Sequence, residues 1–272
     1  MIARDPVHVR TITKCALLAA LLVAASACGG AADPTYQARD PALRTRPLYF
    51  YPAVAGPDSA RAFIFFFGND IGFWEPHRRL AASMAERGYD VVGFDMKALL
   101  ASLPDSGAAR DSAFVAQVGA LIAASRREQG ADALPVVIAG HSLGAEVAVW
   151  SAAHVPVPHL VGVLALSPRS RSHLRVSVAD IANGPEPTGA GSFSVARAVA
   201  DLAPAIRLAV VRGEHDGYRF ADSAIVAAGG HRAQRYVVRF AGHSLKRILV
   251  AKPVVRRALA WLLEPRMGGT PP

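Results

Sequence analysis

The sequence predicts a single α/β domain built on a mostly parallel β-sheet with helices on both faces. Strand-like and helix-like segments alternate along residues 47–265, which is typical of parallel sheets whose strands are connected by helices. The chain has 272 residues, enough for one large α/β domain. Its composition, 52% hydrophobic and 19% charged, indicates a well-buried core and excludes a disordered chain.

The predicted elements follow one another in a regular order. Strands are predicted at residues 46–52, 61–68, 90–95, 135–140, 160–168, 205–213 and 235–242. Helices are predicted at residues 75–88, 109–130, 143–154 and 219–229, and in a last segment that ends at Glu264. Residues 169–203 are rich in Gly, Pro and Ser and are predicted to be irregular, and whether they form a lid is left open.

The pentapeptide GHSLG, residues 140–144, lies between a predicted strand and a predicted helix. The pattern G-x-S-x-G alone is a weak signal, since glycine and serine are common in proteins. At a sharp strand-to-helix turn, however, a serine hydroxyl is exposed, and Gly140 and Gly144 leave room where Cβ atoms would collide. This context indicates the nucleophile elbow of the α/β-hydrolase fold, with Ser142 as the nucleophile. The alternative is a plain glycine-rich turn.

A serine nucleophile needs a base that removes its proton and an acid that orients the base. In α/β-hydrolases the three residues follow in the order Ser, Asp or Glu, His, each after a strand. Asp216 and Glu214 both follow the strand at 205–213, and we favour Asp216 because it lies further past the strand end. His243 is the predicted base because, of the nine histidines, it directly follows the last predicted strand.

Hydrolysis of an ester also needs two N–H donors that stabilise the oxyanion. The N–H of Leu143, just after the nucleophile, is one predicted donor. The loop after the second strand should supply the other, and we predict Asn69, with Asp70 close behind. Phe73 and Trp74 in the same loop are predicted to line the substrate pocket, although packing into the core explains exposed loop aromatics equally well.

The N-terminus resembles a signal peptide. Three basic residues, Arg4, Arg10 and Lys14, precede an apolar segment at residues 15–27 that is too short to span a bilayer. Residues 25–28, ASAC, fit a bacterial lipoprotein box with lipid on Cys28, and residues 25–27 also fit ordinary A-x-A cleavage. We favour the lipoprotein because a polar tether follows the cysteine.

These features predict four regions: a signal peptide at residues 1–27, a tether at 28–46, the hydrolase domain at 47–265 and a flexible tail at 266–272. The predicted location is the periplasmic side of a bacterial membrane, lipid-anchored through Cys28. If Cys28 carries no lipid, the protein is expected to be secreted into the periplasm. Whether the membrane is the inner or the outer one is left open.

Cysteine content and charge limit the possible ligands. Cys15 leaves with the signal peptide, so the mature chain has no disulfide partner for Cys28, and zinc and redox motifs are absent. We therefore predict no metal and no cofactor. The net charge of +9 falls to +7 after cleavage, because residues 1–27 hold three basic residues and one acid. Such a charge favours an anionic membrane surface, and the scattered basic residues predict no nucleic-acid binding.

Several motifs together resemble the VirJ/AcvB family of bacterial virulence-associated proteins. They are the glycine-acidic loop with aromatics after the second strand, GHSLGAEV at residues 140–147, GEHD at 213–216 and FAGHSLKR at 240–247. The resemblance extends from about Arg61 to Glu264. It implies a periplasmic α/β-hydrolase that cleaves aminoacyl esters of phosphatidylglycerol, notably the lysyl ester. The loop GNDIGFW and the segment MKALLASLP depart from the family pattern.

The predicted function is a membrane-tethered serine esterase that acts on lipid or aminoacyl esters. The alternatives are a general carboxylesterase or lipase and a non-catalytic envelope protein associated with secretion. A cationic aminoacyl group should need an acidic partner near the pocket. We predict Asp70 for this role, before Glu75 and Glu146.

Overall fold

The computed structural model describes residues 36–265 except 55, 57, 58, 106, 183 and 245–247. The predicted signal peptide, Cys28, the first part of the tether and the tail at 266–272 lie outside the described residues. None of the described helices is both long enough and apolar enough to cross a membrane.

A seven-stranded sheet forms the centre of the domain, in the strand order β1-β3-β2-β4-β5-β8-β9. Its strands are β1 (Leu48–Tyr51), β2 (Ala62–Phe67), β3 (Tyr89–Phe94), β4 (Val136–His141), β5 (Leu160–Leu166), β8 (Arg207–Gly213) and β9 (Ala233–Val238). The first strand pairs antiparallel with β3, and every other pair in this sheet is parallel. The predicted fold class is therefore confirmed.

Helices cover both faces of the sheet. They are α1 (Pro41–Arg44), α2 (Glu75–Ala85), α3 (Lys97–Ser102), α4 (Gly107–Gln129), α5 (Leu143–His154), α6 (Val178–Ile181), α7 (Val195–Ala200), α8 (Ala221–Gly229) and α9 (Ile248–Leu263). Alternate residues of β2 point to opposite faces, as the period of a strand requires. Phe63, Phe65 and Phe67 pack in the core that holds α4, α5, α7 and α8, whereas Ile64 and Phe66 pack in the core that holds α2 and α9.

The last residues of the predicted tether belong to the folded domain. The carboxylate of Glu128, at the end of α4, accepts hydrogen bonds from the Tyr36 hydroxyl (2.5 Å) and from the N–H groups of Arg39 (2.6 Å) and Asp40 (3.1 Å). Leu43 of α1 is buried in the core. Tyr36, Arg39, Asp40 and Leu43, which the sequence analysis assigned to the tether, therefore contact the folded domain.

The segment at residues 169–203 is more regular than its composition predicts. It contains α6, α7 and the strands β6 (Arg171–His173) and β7 (Ser192–Ser194), which form a two-stranded antiparallel sheet. The buried side chains of Val195 and Val199 in α7 join the core. The sequence misled because Gly, Pro and Ser are frequent in loops, whereas these short elements are stabilised by contacts with the rest of the domain.

Candidate active site

Ser142 lies at the turn between β4 and α5 and has strained backbone angles, φ 54° and ψ −125°. Its N–H donates to the Leu166 carbonyl of the neighbouring strand (2.8 Å), which fixes the turn to the sheet. Positive φ is unusual for a residue with a Cβ atom and is often associated with functional sites. The turn therefore has the geometry that a nucleophile elbow requires.

Two glycines allow this turn to form. A Cβ atom at Gly140 would stand 1.9 Å from the Gly144 carbonyl oxygen, and one at Gly144 would stand 2.0 Å from the Gly68 carbonyl oxygen. Both distances are far shorter than any atomic contact. The first turn of α5 can approach β4 and the end of β2 only because these two positions lack side chains.

The structure brings Ser142, His243 and Asp216 into one chain of hydrogen bonds. His243 Nε2 lies 2.8 Å from Ser142 Oγ, and His243 Nδ1 lies 3.2 Å from both carboxylate oxygens of Asp216. Glu214, the rival acid, is exposed and accepts the Phe240 N–H (2.9 Å). Of the two acids, Asp216 is the one in contact with the histidine.

Arg212, which the sequence analysis did not single out, holds Asp216 in place. This buried arginine donates to Asp216 (2.7 Å) and Asp222 (2.7 Å) and also to the Pro168 carbonyl. Burial acts to raise the pKa of Asp216, but the hydrogen bond with His243 and the charges of His243 and Arg212 outweigh it and lower the pKa. The carboxylate therefore stays ionised beside the imidazole, as a residue that orients the base must.

Two further buried histidines link the loop after β2 to the loop that carries His243. The N–H of Trp74 donates to His77 Nδ1 (3.3 Å), His77 Nε2 lies 2.9 Å from His141 Nδ1, and His141 Nε2 lies 3.0 Å from the His243 carbonyl oxygen. These hydrogen bonds all run in one direction, from Trp74 to the His243 carbonyl. Because Nδ1 of His77 accepts, its Nε2 must donate to His141, whose Nε2 in turn donates to the His243 carbonyl.

The same burial keeps this histidine chain neutral. Desolvation lowers the pKa of His141 from its usual 6.5 to about 4. Desolvation and the neighbouring His141 lower the pKa of His77 well below its usual value. A second proton on either ring would remove an acceptor that the chain needs, so the hydrogen bonds and the burial favour the same protonation state.

The two predicted oxyanion donors differ in availability. Leu143 begins α5, and no backbone acceptor for its N–H is found within the described residues. The N–H of Asn69, however, already donates to the Gly72 carbonyl in a tight turn (3.2 Å). An oxyanion would have to compete with that carbonyl for the Asn69 N–H. In this structure the Asn69 N–H is therefore not the free donor that the sequence analysis predicted. The sequence could not reveal this hydrogen bond, because it depends on how the loop folds back.

The remaining predicted loop residues have different surroundings. Phe73 is buried in the core over β3, where its ring occupies the space that a Cβ atom at Gly93 would need. It packs against Tyr49 and Phe66, which favours the alternative of packing into the core, and its pocket role stays a prediction. Trp74 is partly exposed at the start of α2, and its predicted pocket role stays a prediction.

Asp70 is buried close to the catalytic groups. Burial raises its pKa, and it interacts electrostatically with Asp180, Arg169 and His243. No salt bridge from another described residue reaches its carboxylate. In the same loop, Asn69 Oδ1 is buried and has no hydrogen-bond partner among the described residues. Within the described residues, the loop after β2 therefore offers a carboxylate without a salt bridge, Asp70, and an amide oxygen without a hydrogen-bond partner, Asn69 Oδ1.

A buried charged cluster lies next to this loop. Arg169 contacts Glu146 of α5 (3.2 Å) and Asp180 of α6 (2.6 Å), and His173 Nε2 lies 2.8 Å from Asp180. Glu146 is thus occupied by Arg169, and Glu75 is exposed at the start of α2, where it pairs with Arg79. Of the three acids predicted as partners for a cationic group, only Asp70 is both near His243 and without a salt-bridge partner among the described residues.

The sequence contains a signal for Arg212 but not for the contact between His77 and His141. Arg212 is a charged residue inside an otherwise apolar strand, AVVRG, which indicates a buried ion pair. His77 lies on the buried face of α2, but nothing in the sequence links it to His141, 64 positions away. In the described part of the chain, no group of three or more His, Cys, Asp or Glu residues is arranged to hold a metal ion.

Comparisons with known proteins agree with this architecture. No protein-family model and no curated protein matches the chain. A putative dienelactone hydrolase from Klebsiella pneumoniae superposes with a TM-score of 0.59 at 19% identity, over 81% of this chain and 93% of that one. Est1E from Butyrivibrio proteoclasticus gives 0.57 at 14% identity (79% and 93%), and the esterase domain of a Rhodothermus marinus protein gives 0.55 at 14% (79% and 91%). The chain therefore has the α/β-hydrolase fold.

Proposed function

We propose that the chain is a serine hydrolase that cleaves carboxylic esters with a Ser142–His243–Asp216 triad. One observation carries the proposal: a serine at a strained strand-to-helix turn lies 2.8 Å from a histidine whose other nitrogen contacts a buried, ionised aspartate. A protein that only binds ligands has no need of this arrangement. The structural similarity to an esterase and a dienelactone hydrolase supports the same reaction class.

The geometry suits acyl transfer to serine. His243 Nε2 takes the proton of Ser142 Oγ as the oxygen attacks the ester carbonyl, and returns it to the departing alcohol. Asp216 keeps the Nδ1 proton of His243 directed towards itself and stabilises the positive charge on the imidazole. The N–H of Leu143 stabilises the developing oxyanion. In the second half of the reaction, His243 Nε2 takes a proton from water as the water attacks the acyl-enzyme. It then returns the proton to Ser142 Oγ as the acid is released.

The proposed substrates are aminoacyl esters of phosphatidylglycerol, notably the lysyl ester. The resemblance to the VirJ/AcvB family suggests this class, and the chemistry of the loop after β2 supports it. Ammonium groups carry only donors. The carboxylate of Asp70, which interacts electrostatically with His243, is an acceptor, and so is Asn69 Oδ1 in the same loop, which has no partner among the described residues. An amino group there would satisfy both and would lower the cost of burying Asp70.

The test compares substrates on the purified enzyme. Lysyl-phosphatidylglycerol, alanyl-phosphatidylglycerol, a p-nitrophenyl ester and a triacylglycerol are supplied separately, and kcat/KM is measured for each. We expect release of lysine to have the highest value. The second candidate, a general carboxylesterase, is favoured by the similarity to the Rhodothermus marinus esterase domain. Preference for the p-nitrophenyl ester, with no amino acid released, would establish that candidate instead.

The acidic partner is tested separately. Asp70→Asn should lower kcat/KM for the lysyl lipid by about tenfold or more, since it removes a charge from a buried site, and should leave the neutral ester almost unchanged. Glu75→Gln is the matched control, because it removes an exposed acid already paired with Arg79. Equal losses on both substrates would mean that Asp70 has no role in recognising the amino group.

A serine-directed fluorophosphonate probe separates hydrolases from binding proteins. We expect the full chain to be labelled and the Ser142→Ala variant to remain unlabelled, because attack on the probe needs an activated serine. An unlabelled, folded wild-type chain would leave the non-catalytic envelope protein as the better account.

A further inference from the structure

Exposed apolar side chains concentrate at one edge of the domain. Because β2, β4, β5, β8 and β9 are parallel, their carboxyl ends meet at the edge that carries the candidate active site, here called the carboxyl edge. Among the described residues, six exposed large apolar side chains lie in segments that follow these ends: Ile71, Val178, Ile181, Phe220, Phe240 and Val250. Isolated exposed apolar residues need no explanation, but several around a single site do.

Two of these residues share a distinctive pattern. Phe220 and Phe240 are 64% and 63% exposed, and each directly follows an exposed arginine, Arg219 and Arg239. They lie after β8 and β9, which are neighbours in the sheet. Phe220 is close to the candidate site. The centroid of its ring lies 6.4 Å from that of Tyr218, and the Tyr218 ring centroid lies 5.2 Å from that of His243.

The backbone at Phe240 is strained. Its φ is 57°, a value that a bulky residue rarely adopts. Glycine or asparagine would relieve the strain, and the ring buries little surface that would offset it. The exposed carboxylate of Glu214 accepts the Phe240 N–H and helps to hold the turn. Burial against the described part of the chain does not explain a phenylalanine at this exposed position, which favours a partner outside the chain.

We propose that the carboxyl edge docks on a bilayer rich in anionic phospholipid, with Phe220 and Phe240 inserted among the lipids and Arg219 and Arg239 on their headgroups. This docking deepens the proposed function, on which the choice of a lipid partner rests. It would bring the mouth of the site to the headgroup layer, where an ester of a phospholipid headgroup lies.

The surface chemistry favours a bilayer over a protein partner. A protein interface of useful strength has an apolar centre that is depleted of charge, whereas here each exposed ring directly follows an exposed arginine in the sequence. Aromatic rings and arginine stems suit the boundary between headgroups and acyl chains, which needs no complementary shape. The net charge of +9 acts in the same direction, because anionic lipids attract basic residues near the surface.

Co-sedimentation with lipid vesicles tests the proposal. The full chain carries Cys28→Ser, so that no lipid anchor contributes, and Ser142→Ala, so that binding is measured without hydrolysis. We expect tighter partitioning onto vesicles of equal phosphatidylglycerol and phosphatidylcholine than onto phosphatidylcholine alone. Adding Phe220→Ser and Phe240→Asn should weaken partitioning by about tenfold or more. These replacements suit their positions, since Ser is a good residue before a helix and Asn tolerates positive φ.

Matched controls on other surfaces complete the test. Val54 is 73% exposed and follows β1, which runs antiparallel and ends at the opposite edge, so Val54→Ser should leave partitioning unchanged. Arg239→Gln should weaken binding by about fivefold, whereas Arg256→Gln, in a cavity lined by Arg61 and Tyr89 near the opposite edge, should have little effect.

Equal partitioning of the parent chain and the double phenylalanine variant would overturn the proposal, as would equal effects of the variants at the two edges. A parent chain that binds neither kind of vesicle would also overturn it and would favour a protein partner. Catalysis is not needed for any of these measurements. Failure of the docking surface is therefore distinct from failure of the proposed ester hydrolysis, which the substrate comparison tests.

Discussion

At the scale of single residues, charge and proton positions define the candidate site. Asp216 is fully buried, yet it stays ionised because Arg212 and His243 supply positive charge and hydrogen bonds. Removing one partner of such a group leaves an uncompensated buried charge, which costs about 3–5 kcal/mol. Arg212 therefore contributes to both stability and the orientation of the histidine, through its contact with Asp216.

Replacing the members of the proposed triad should abolish hydrolysis without unfolding the domain. We expect Ser142→Ala and His243→Ala each to lower kcat by about 10⁴-fold or more, and Asp216→Asn to be similarly severe. Glu214→Gln should be mild, since Glu214 is exposed and its recorded contacts are with the Phe240 N–H and His215. Assays of kcat with circular dichroism on each variant check this. If Glu214→Gln were the severe change and Asp216→Asn the mild one, the acid would be wrongly assigned.

The buried histidines predict a pH-dependent stability. Between pH 6.5 and about 4 the unfolded chain binds a proton at His141 that the folded chain does not, so the free energy of unfolding falls as the pH falls. The contribution of His141 is about 2 kcal/mol between pH 7 and pH 5. We expect His141→Gln, which keeps a neutral donor and acceptor, to reduce that fall.

Urea unfolding at pH 7 and pH 5 measures the effect. His231→Gln serves as the control, because His231 is exposed in the turn before β9. The same fall in the wild-type chain and in His141→Gln would contradict a neutral, buried His141. If His231→Gln reduced the fall in the free energy of unfolding as much as His141→Gln does, protonation of exposed histidines would explain the fall and the buried histidines would not.

At the scale of elements, close contact between backbones decides whether the elbow forms. The first turn of α5 lies against β4 and the end of β2, with Gly140 and Gly144 at the points of contact. Strand β5 supplies the carbonyl that accepts the Ser142 N–H. The nucleophile is therefore positioned by three strands and a helix. Its strained backbone angles persist because contacts with all four elements fix the same conformation.

Gly140→Ala should distort this arrangement. The added methyl group would meet the Gly144 carbonyl at 1.9 Å, and overpacking against backbone typically costs about 1–3 kcal/mol or more. We expect a lower midpoint of urea unfolding and a loss of activity that exceeds the loss of stability. Gly189→Ala is the control, because its Cβ atom would meet open space. Normal activity and stability in Gly140→Ala would show that the elbow tolerates a wider separation.

At the scale of the whole molecule, charge and the N-terminal segment support the proposed location at a membrane. The chain has a net charge of +9, and several exposed apolar side chains lie in segments that follow the carboxyl ends of the parallel strands. A lipid on Cys28 would anchor the chain stably to a membrane, because a diacylglycerol supplies two acyl chains and two chains suffice for stable anchoring. Cys28 itself lies outside the described residues, so the anchor is a proposal from the sequence.

Replacement of Cys28 tests the anchor. In cells that process bacterial lipoproteins, we expect the wild-type chain to stay in the membrane fraction after a high-salt wash, and Cys28→Ser to be released by that wash, because only peripheral binding through the carboxyl edge remains. Mass spectrometry of the wild-type chain should find a mature N-terminus at Cys28 with the mass of attached lipid. An unmodified Cys28 in a soluble protein would indicate ordinary cleavage after Ala27.

The sequence by itself determined the features that depend on local pattern. Alternating apolar segments predict the parallel sheet, and the glycines around Ser142 predict the elbow, because both follow from the geometry of neighbouring residues. Asp216 and His243 could be predicted from their positions after strands, since the carboxyl ends of parallel strands share one edge. These predictions needed only the order of the elements.

Only the tertiary structure decided how distant side chains meet. The hydrogen bond between His77 and His141, the burial of Phe73 over Gly93, and the turn that engages the Asn69 N–H join segments whose relative positions no periodicity encodes. Arg212 likewise gains its role from Asp216 and Asp222 around it. Periodicity shows which face of an element is buried. Which side chains meet on that face depends on close packing of the whole domain, to which every element contributes.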